Sequence, residues 1–330
     1  MGIEKFIPQD QFRYYYTLLS STERIVYDNL VCGLIDFKKE IPCAGCHANR
    51  IQDILQYAKL DIPELFYIKS ISLRYSPLLI NRCTVLIEYR FKEDTVATIL
   101  ARMEVIAQQL HKVISHKAEA DREIAIHDFL ADRVQYRDLS APYSHEAPGA
   151  LLYNIGVCEG ISKAFKYLAD RNGLQSIVAT GLGNDHGNEG GHAWNLCSLN
   201  GEFFHVDVTF DSTIADGCAR YDYLNLSDKE IGTNHSWTDS LPICHKSLSH
   251  YKRLGLFFDS QQKLARFLRS QARNNRTIVF QLPRFTGNQQ RLVDVVCKTV
   301  QDNLRCGLFE TKRFSLSYNL NRMVFQINIL

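Results

Sequence analysis

The chain has 330 residues, with 38 basic and 36 acidic side chains and a net charge of +2. That balance offers no basic field for nucleic acid or an anionic membrane. An apolar share of 45% suits a packed protein rather than a disordered one, and no apolar run approaches the roughly 20 residues that span a bilayer. Met1-Gly2-Ile3-Glu4-Lys5-Phe6 has no basic region leading into an apolar one. No signal peptide is visible, and a cytoplasmic location is the expectation, although a leader already removed would leave the same start. Ten scattered cysteines give no disulfide framework in a chain this long, which fits a reducing compartment.

The length has room for two or three domains. At the N-terminus, Tyr14, Tyr15 and Tyr16 read as core residues rather than a ligand platform. Ser20-Ser21-Thr22-Glu23 reads as a capping box, and Ile25, Leu30, Val31, Leu34 and Ile35 continue the helix. Cys43-Ala44-Gly45-Cys46-His47 has the spacing of covalent haem attachment and half that of a zinc site. No haem context and no second Cys-x-x-Cys pair accompany it, so an ordinary connecting loop is expected. A helix at 48–59, a strand pair at 68–75 and 83–91, and a long helix at 95–117 complete a first α+β domain at 1–118.

The next segment, 119–250, carries the chemistry. In Gly156-Val157-Cys158-Glu159-Gly160, the cysteine precedes Ile161, Ala164, Phe165 and Leu168, which fall at i, i+3, i+4 and i+7. Cys158 therefore stands at or just before a helix N-terminus. Unpaired N–H groups and the helix dipole there favour a thiolate and can hold an oxyanion. Downstream, 192–199 and 202–210 read as strands joined by Asn200-Gly201, a two-residue turn. That register sets Trp194 opposite Asp207 and His192 opposite Thr209. His192 and Asp207 become diagonal neighbours, roughly 7–8 Å apart or less, while Ala193, Cys197, Phe204, Val206 and Val208 take the core face. A thiol, an imidazole and a carboxylate so placed suit covalent catalysis at an acyl carbon. A small buried cysteine and a structural histidine are the plain alternatives. The segment 183–191 reads as a glycine-rich surface connection or a rim beside the cleft. Its Asp185, His186 and Glu189 are too loosely spaced to argue for a metal.

These blocks resemble the transglutaminase-like superfamily of cysteine peptidases and acyl transferases, in a bacterial form. The resemblance rests on Gly156-Val157-Cys158-Glu159-Gly160, Gly191-His192-Ala193-Trp194-Asn195 and His205-Val206-Asp207-Val208-Thr209-Phe210-Asp211. The approach, Ile126-His127-Asp128-Phe129-Leu130 with Val134-Gln135-Tyr136, is similar too. So is the exit, Tyr221 to Ser227 with His235-Ser236-Trp237, so that residues 119–245 are covered. The likeness implies a papain-like α+β core, in which a helix carrying the nucleophile packs on an antiparallel sheet. It implies Cys158 as nucleophile, His192 as base and Asp207 as orienting acid. No cofactor and no metal are implied, and the partner is a protein or peptide substrate. Phe210 replaces the aromatic usual in the third block. The second oxyanion donor is not fixed by motif: Tyr153, Asn154 and Tyr136 are candidates, and Trp194 is assigned to the cleft. The implied activity is amide hydrolysis by a cysteine peptidase. The same triad serves a protein-glutamine transglutaminase or a deamidase, because water access and the acceptor pocket decide between them. A non-catalytic binding module with a covered cleft is the alternative of another class.

The remainder, 251–330, opens with a basic helix through Leu264, Phe267 and Leu268, its Lys263, Arg266, Arg269 and Arg273 forming a solvated face. A strand at 277–282, a helix at 289–303 and a strand pair at 314–318 and 323–329 follow. The strand–turn–strand pattern echoes that at 71–91. Two small α+β modules of related form are expected to flank the core, with coincidence as the alternative.

Overall fold

In the computed structural model, residues 3–75, 82–139, 143–185, 187–215, 217–238, 240–271, 276–306, 310–311 and 313–330 are described, which leaves His186 and Arg273 outside. The contacts divide into two units. One is Met1–Phe203 with Asp207–Thr209 and Ser236–Pro242; the other is Phe204–Val206 with Phe210–His235 and Ile243–Leu330.

In the first unit, Ser20 starts α1 (Ser21–Ile35). Its hydroxyl accepts from the Glu23 N–H, and the Glu23 carboxylate accepts from the Ser20 N–H at 2.8 Å. This reciprocal pair satisfies two amides that the helix itself cannot. Next come β1 (Glu40–Ala44), α2 (Ala48–Asp61), β2 (Ile68–Tyr75) and β3 (Arg82–Tyr89), with the strands in the order β1-β3-β2. The Cys43–His47 segment is thus no plain loop. Cys43 faces Cys83 across the β1–β3 ladder, and His47 is the N-cap of α2. Pro42 and Gly45 hide the strand in the sequence, because both residue types are depleted in strands. α3 (Glu93–Ile114) buries Val96, Ile99, Leu100, Met103 and Ala107, a helical period. Tyr15 is core as expected: it is buried, stacks on Tyr57 at 4.9 Å and donates to the Val178 carbonyl at 2.8 Å.

α4 (Glu119–Ala131), β4 (Gln135–Tyr136), α5 (Ala147–Leu152) and β5 (Ile155–Gly156) lead to α6 (Cys158–Arg171). α6 is buried from Gly160 to Ala169, although Ser162, Lys163 and Lys166 lie in that stretch. Its charges are matched. Lys163 Nζ lies 2.8 Å from both Glu146 and Glu159. Lys166 reaches Asp170 at 3.1 Å and donates to the Phe12 carbonyl at 2.7 Å. Arg171 bonds Glu64 at 3.0 Å and Glu104 at 2.7 Å. Buried charges survive when paired and hydrogen-bonded. Gly160 lets the preceding loop seat on the first turn, for a Cβ there would lie 2.4 Å from the Ser144 carbonyl oxygen. The same carbonyl accepts from the Val157 N–H at 2.9 Å. Gly160→Ala is therefore expected to destabilise the fold by about 1–3 kcal/mol, an overpacking penalty. Urea denaturation reads it, and an unchanged midpoint would contradict the close approach.

β6 (Ser176–Asp185) and β7 (Asn188–Leu199) form a long antiparallel hairpin. Here 183–191 departs from the expected connection, because Gly183 pairs with Gly190 and Leu182 with Gly191. Ladder hydrogen bonds need no side chains, so glycines conceal the strand. Asn200 and Gly201 both have positive φ, 53° and 81°, as the two-residue turn requires. β8 (Glu202–Val206) then ends four residues earlier than the expected 210. Val208–Thr213 is helical instead, α7, so the expected pairing of His192 with Thr209 is corrected. Tertiary partners override the alternating pattern: Phe210 meets Tyr223 at 5.1 Å and His235 at 4.7 Å, and Asp211 accepts from the Tyr223 N–H at 3.0 Å.

The second unit pairs the end of β8 with β9 (Leu224–Leu226), followed by α8 (Asp228–Ile231). Then come α9 (Gln261–Gln271), β10 (Thr277–Gln281), α10 (Gln289–Asn303), β11 (Phe314–Asn319) and β12 (Val324–Ile329). Leu264, Leu268, Phe280, Val296, Val300 and Phe325 form its core. The strand order is β10-β12-β11. In both sheets a strand, a helix and a hairpin follow a helix, and the last strand lies in the middle. Among the described residues, no helix is long and apolar enough to cross a membrane.

Candidate active site

Cys158 is the first residue of α6, after an extended Val157 N-cap, and its side chain is partly exposed. Loop, cap and helix start are locked from both sides. The Ser144 carbonyl takes the Val157 N–H, and the Gly156 carbonyl accepts from the Arg137 N–H at 3.2 Å. The first N–H groups of α6 thus converge where the thiol sits.

His192 projects from β7, opposite Gly181. Its Nε2 lies 2.7 Å from Asp207 Oδ2, and Asp207 is 1% exposed. The imidazole also hydrogen-bonds the Cys158 thiol. Burial works against the charged ring, but Asp207 outweighs it and Cys158 adds to the gain, so His192 is raised to about 10. It is an imidazolium at neutral pH.

Three further features hold the ring. Trp194, two residues along the strand on the same face, stacks on it at 5.9 Å and meets Trp237 edge-on at 6.0 Å. Gly181 and Gly183 of β6 leave the space: a Cβ on Gly183 would lie 2.9 Å from His192 Cγ, and one on Gly181 would lie 3.0 Å from the Trp194 ring. Asn195 Nδ2 donates to the Ser162 carbonyl at 3.0 Å, which ties β7 to α6. The Gly-x-Gly of β6 was open to sequence reading as a close-approach signal, yet its tie to His192 depends on the β6–β7 register.

The oxyanion candidates separate. β4 pairs in parallel with β5, Tyr136 against Gly156. The Tyr136 hydroxyl hydrogen-bonds Cys158, and burial first, then Cys158, raises its pKa, so it remains a protonated donor. Tyr153 instead stacks on Tyr143 at 4.9 Å, and Tyr143 on Phe91 at 5.4 Å. Asn154 is left-handed, φ 54°, and its carbonyl accepts from the Gln135 N–H. It shapes the bend into β5. Trp194, assigned to the cleft from sequence, is fully buried behind the imidazole, which corrects that assignment.

Residues 106–208, which include Cys158, His192 and Asp207, match the profile of the transglutaminase-like superfamily. The chain carries a transglutaminase-like domain. No curated protein matches the chain significantly. Solved structures that resemble it include a candidate cysteine protease from Cytophaga hutchinsonii, at 13% identity over 42% of this chain and 61% of that one, TM-score 0.29. A TGase matches at 13% identity over 68% and 66%, TM-score 0.32. A candidate protease from Parabacteroides distasonis matches at 9% over 79% and 62%, TM-score 0.30. The chain spans 61 to 66% of the length of these proteins. Apart from Cys158, His192 and Asp207, donors of metal-ligand type converge in the second unit, where His205, Asp228 and Cys244 place ligand atoms within 4.8 Å of one another.

Proposed function

We propose that the transglutaminase-like domain is a thiol-dependent amide hydrolase, a cysteine peptidase acting through Cys158, His192 and Asp207. The observation that carries this reading is the 2.7 Å His192–Asp207 contact on an imidazole that also bonds a helix-start thiol. Cys158 Sγ, its proton already passed to His192, attacks the substrate carbonyl, and the C=O pair moves onto oxygen. The Cys158 N–H and the Tyr136 hydroxyl receive that oxyanion. The His192 imidazolium gives its proton to the departing amine as the C–N bond breaks, leaving a thioester. Water then attacks, His192 takes its proton as base, and the C–S bond breaks to release the acid and restore the thiol site. Asp207 stays ionised throughout and holds the ring.

Protein or peptide amides are the substrate class. The test is mass spectrometry of a peptide library incubated with the protein and a labelled amine. New peptide termini support peptidase action. Amine incorporation or glutamine deamidation would assign the same triad to transfer or deamidation. Unchanged peptides in every arm would favour a binding module.

Tyr136→Phe is expected to lower kcat by about 10²–10³-fold, the scale for one lost oxyanion donor. KM should change little, because the bond is made only in the transition state. An unchanged kcat would remove Tyr136 from the oxyanion site.

A further inference from the structure

We propose that His205, Asp228 and Cys244 of the second unit form a zinc site that the acyl chemistry does not use. The three donors come from separate places in the chain: the end of β8, the first residue of α8, and the segment between β9 and α9. Their ligand atoms lie within 4.8 Å of one another. Imidazole nitrogen, carboxylate oxygen and thiolate sulfur together suit Zn²⁺, whereas Mg²⁺ and Ca²⁺ take oxygen. Three protein ligands leave one tetrahedral position for water.

The surroundings are pre-arranged. His205 pairs with Leu226 across β8 and β9, two residues from Asp228. The Asp228 N–H donates to the Cys244 carbonyl at 2.9 Å, and the Cys244 N–H donates to Asp228 Oδ1 at 3.1 Å. His205 Nε2 and Asp228 Oδ1 are 2.8 Å apart. Ligands at zinc distances sit about 3.4 Å from each other, so entry of the ion needs only a small spread. His205 and Cys244 are buried, while the Asp228 side chain is one-third exposed and gives the path in. On binding, the histidine keeps one proton, on the ring nitrogen that does not take the metal, and the Cys244 thiol loses its own. One proton leaves per ion.

Cobalt is the probe, on metal-stripped full-length protein carrying Cys158→Ala so that the nucleophile cannot compete. One Co²⁺ per chain is expected, with tetrahedral visible bands, a near-ultraviolet thiolate band, and displacement by Zn²⁺. Calorimetry of Zn²⁺ binding in two buffers should report one proton released. Cys244→Ser should abolish the thiolate band and weaken zinc at least about tenfold; Asp228→Asn serves if the serine variant misfolds. No thiolate band in the parent, or the same band and affinity after Cys244→Ser, overturns the site.

Discussion

Cys158→Ala yields a folded protein with no amide hydrolysis above background, a loss of at least about 10⁴-fold, the scale for a removed triad nucleophile. The thiol is partly exposed at a helix start, so alanine fits its place without a cavity. The loop–helix junction is held by Ser144 and Gly160, which the substitution leaves alone. Activity and stability must therefore separate: rate collapses while the urea midpoint stays. A binding module would instead keep whatever function it has. Residual hydrolysis within tenfold of the parent would remove Cys158 from the chemistry.

Asp207→Asn is expected to cost about 10³–10⁴-fold in kcat, because an amide leaves the ring unanchored and no longer supports its charge. The pH behaviour is the sharper signature. The folded His192 is raised to about 10, against about 6.5 for a free imidazole. The paired imidazolium therefore stabilises the fold fully below pH 6.5, and that gain is lost as pH rises through about 10. In the variant, burial acts without its counter-charge, and the high-pH limb of activity moves toward neutral. The stability gap between parent and variant should be widest below about pH 6.5 and close as pH climbs. A gap that widens with pH would contradict the ion pair.

Much of the site could be read without coordinates, for identifiable reasons. The helix after Cys158 announces itself by apolar period, and Asn200-Gly201 by its need for positive φ. The proximity of His192 and Asp207 was reached through a strand continuing to 210, whereas Asp207 in fact follows the last strand residue, Val206. The turn set the register well enough for the contact, but the helix at Val208–Thr213 depends on Tyr223 and His235, which local pattern does not contain. Tyr136 and Tyr153 looked equivalent because a two-residue parallel bridge has no sequence signal; only the pairing of Tyr136 with Gly156 tells them apart. Trp194 was drawn to the cleft by its place beside His192, although alternation already put it on the same face as the ring. His205, Asp228 and Cys244 have no motif spacing at all, since a sheet register and a backbone pair bring them together.

The most direct test of the central claim is rapid acid quench of the parent protein with an activated peptide ester, followed by peptide mapping. A thioester adduct of the acyl mass on the peptide containing Cys158, absent from Cys158→Ala, is the predicted result. Turnover with the adduct on another residue, or equal turnover by Cys158→Ala, would contradict it.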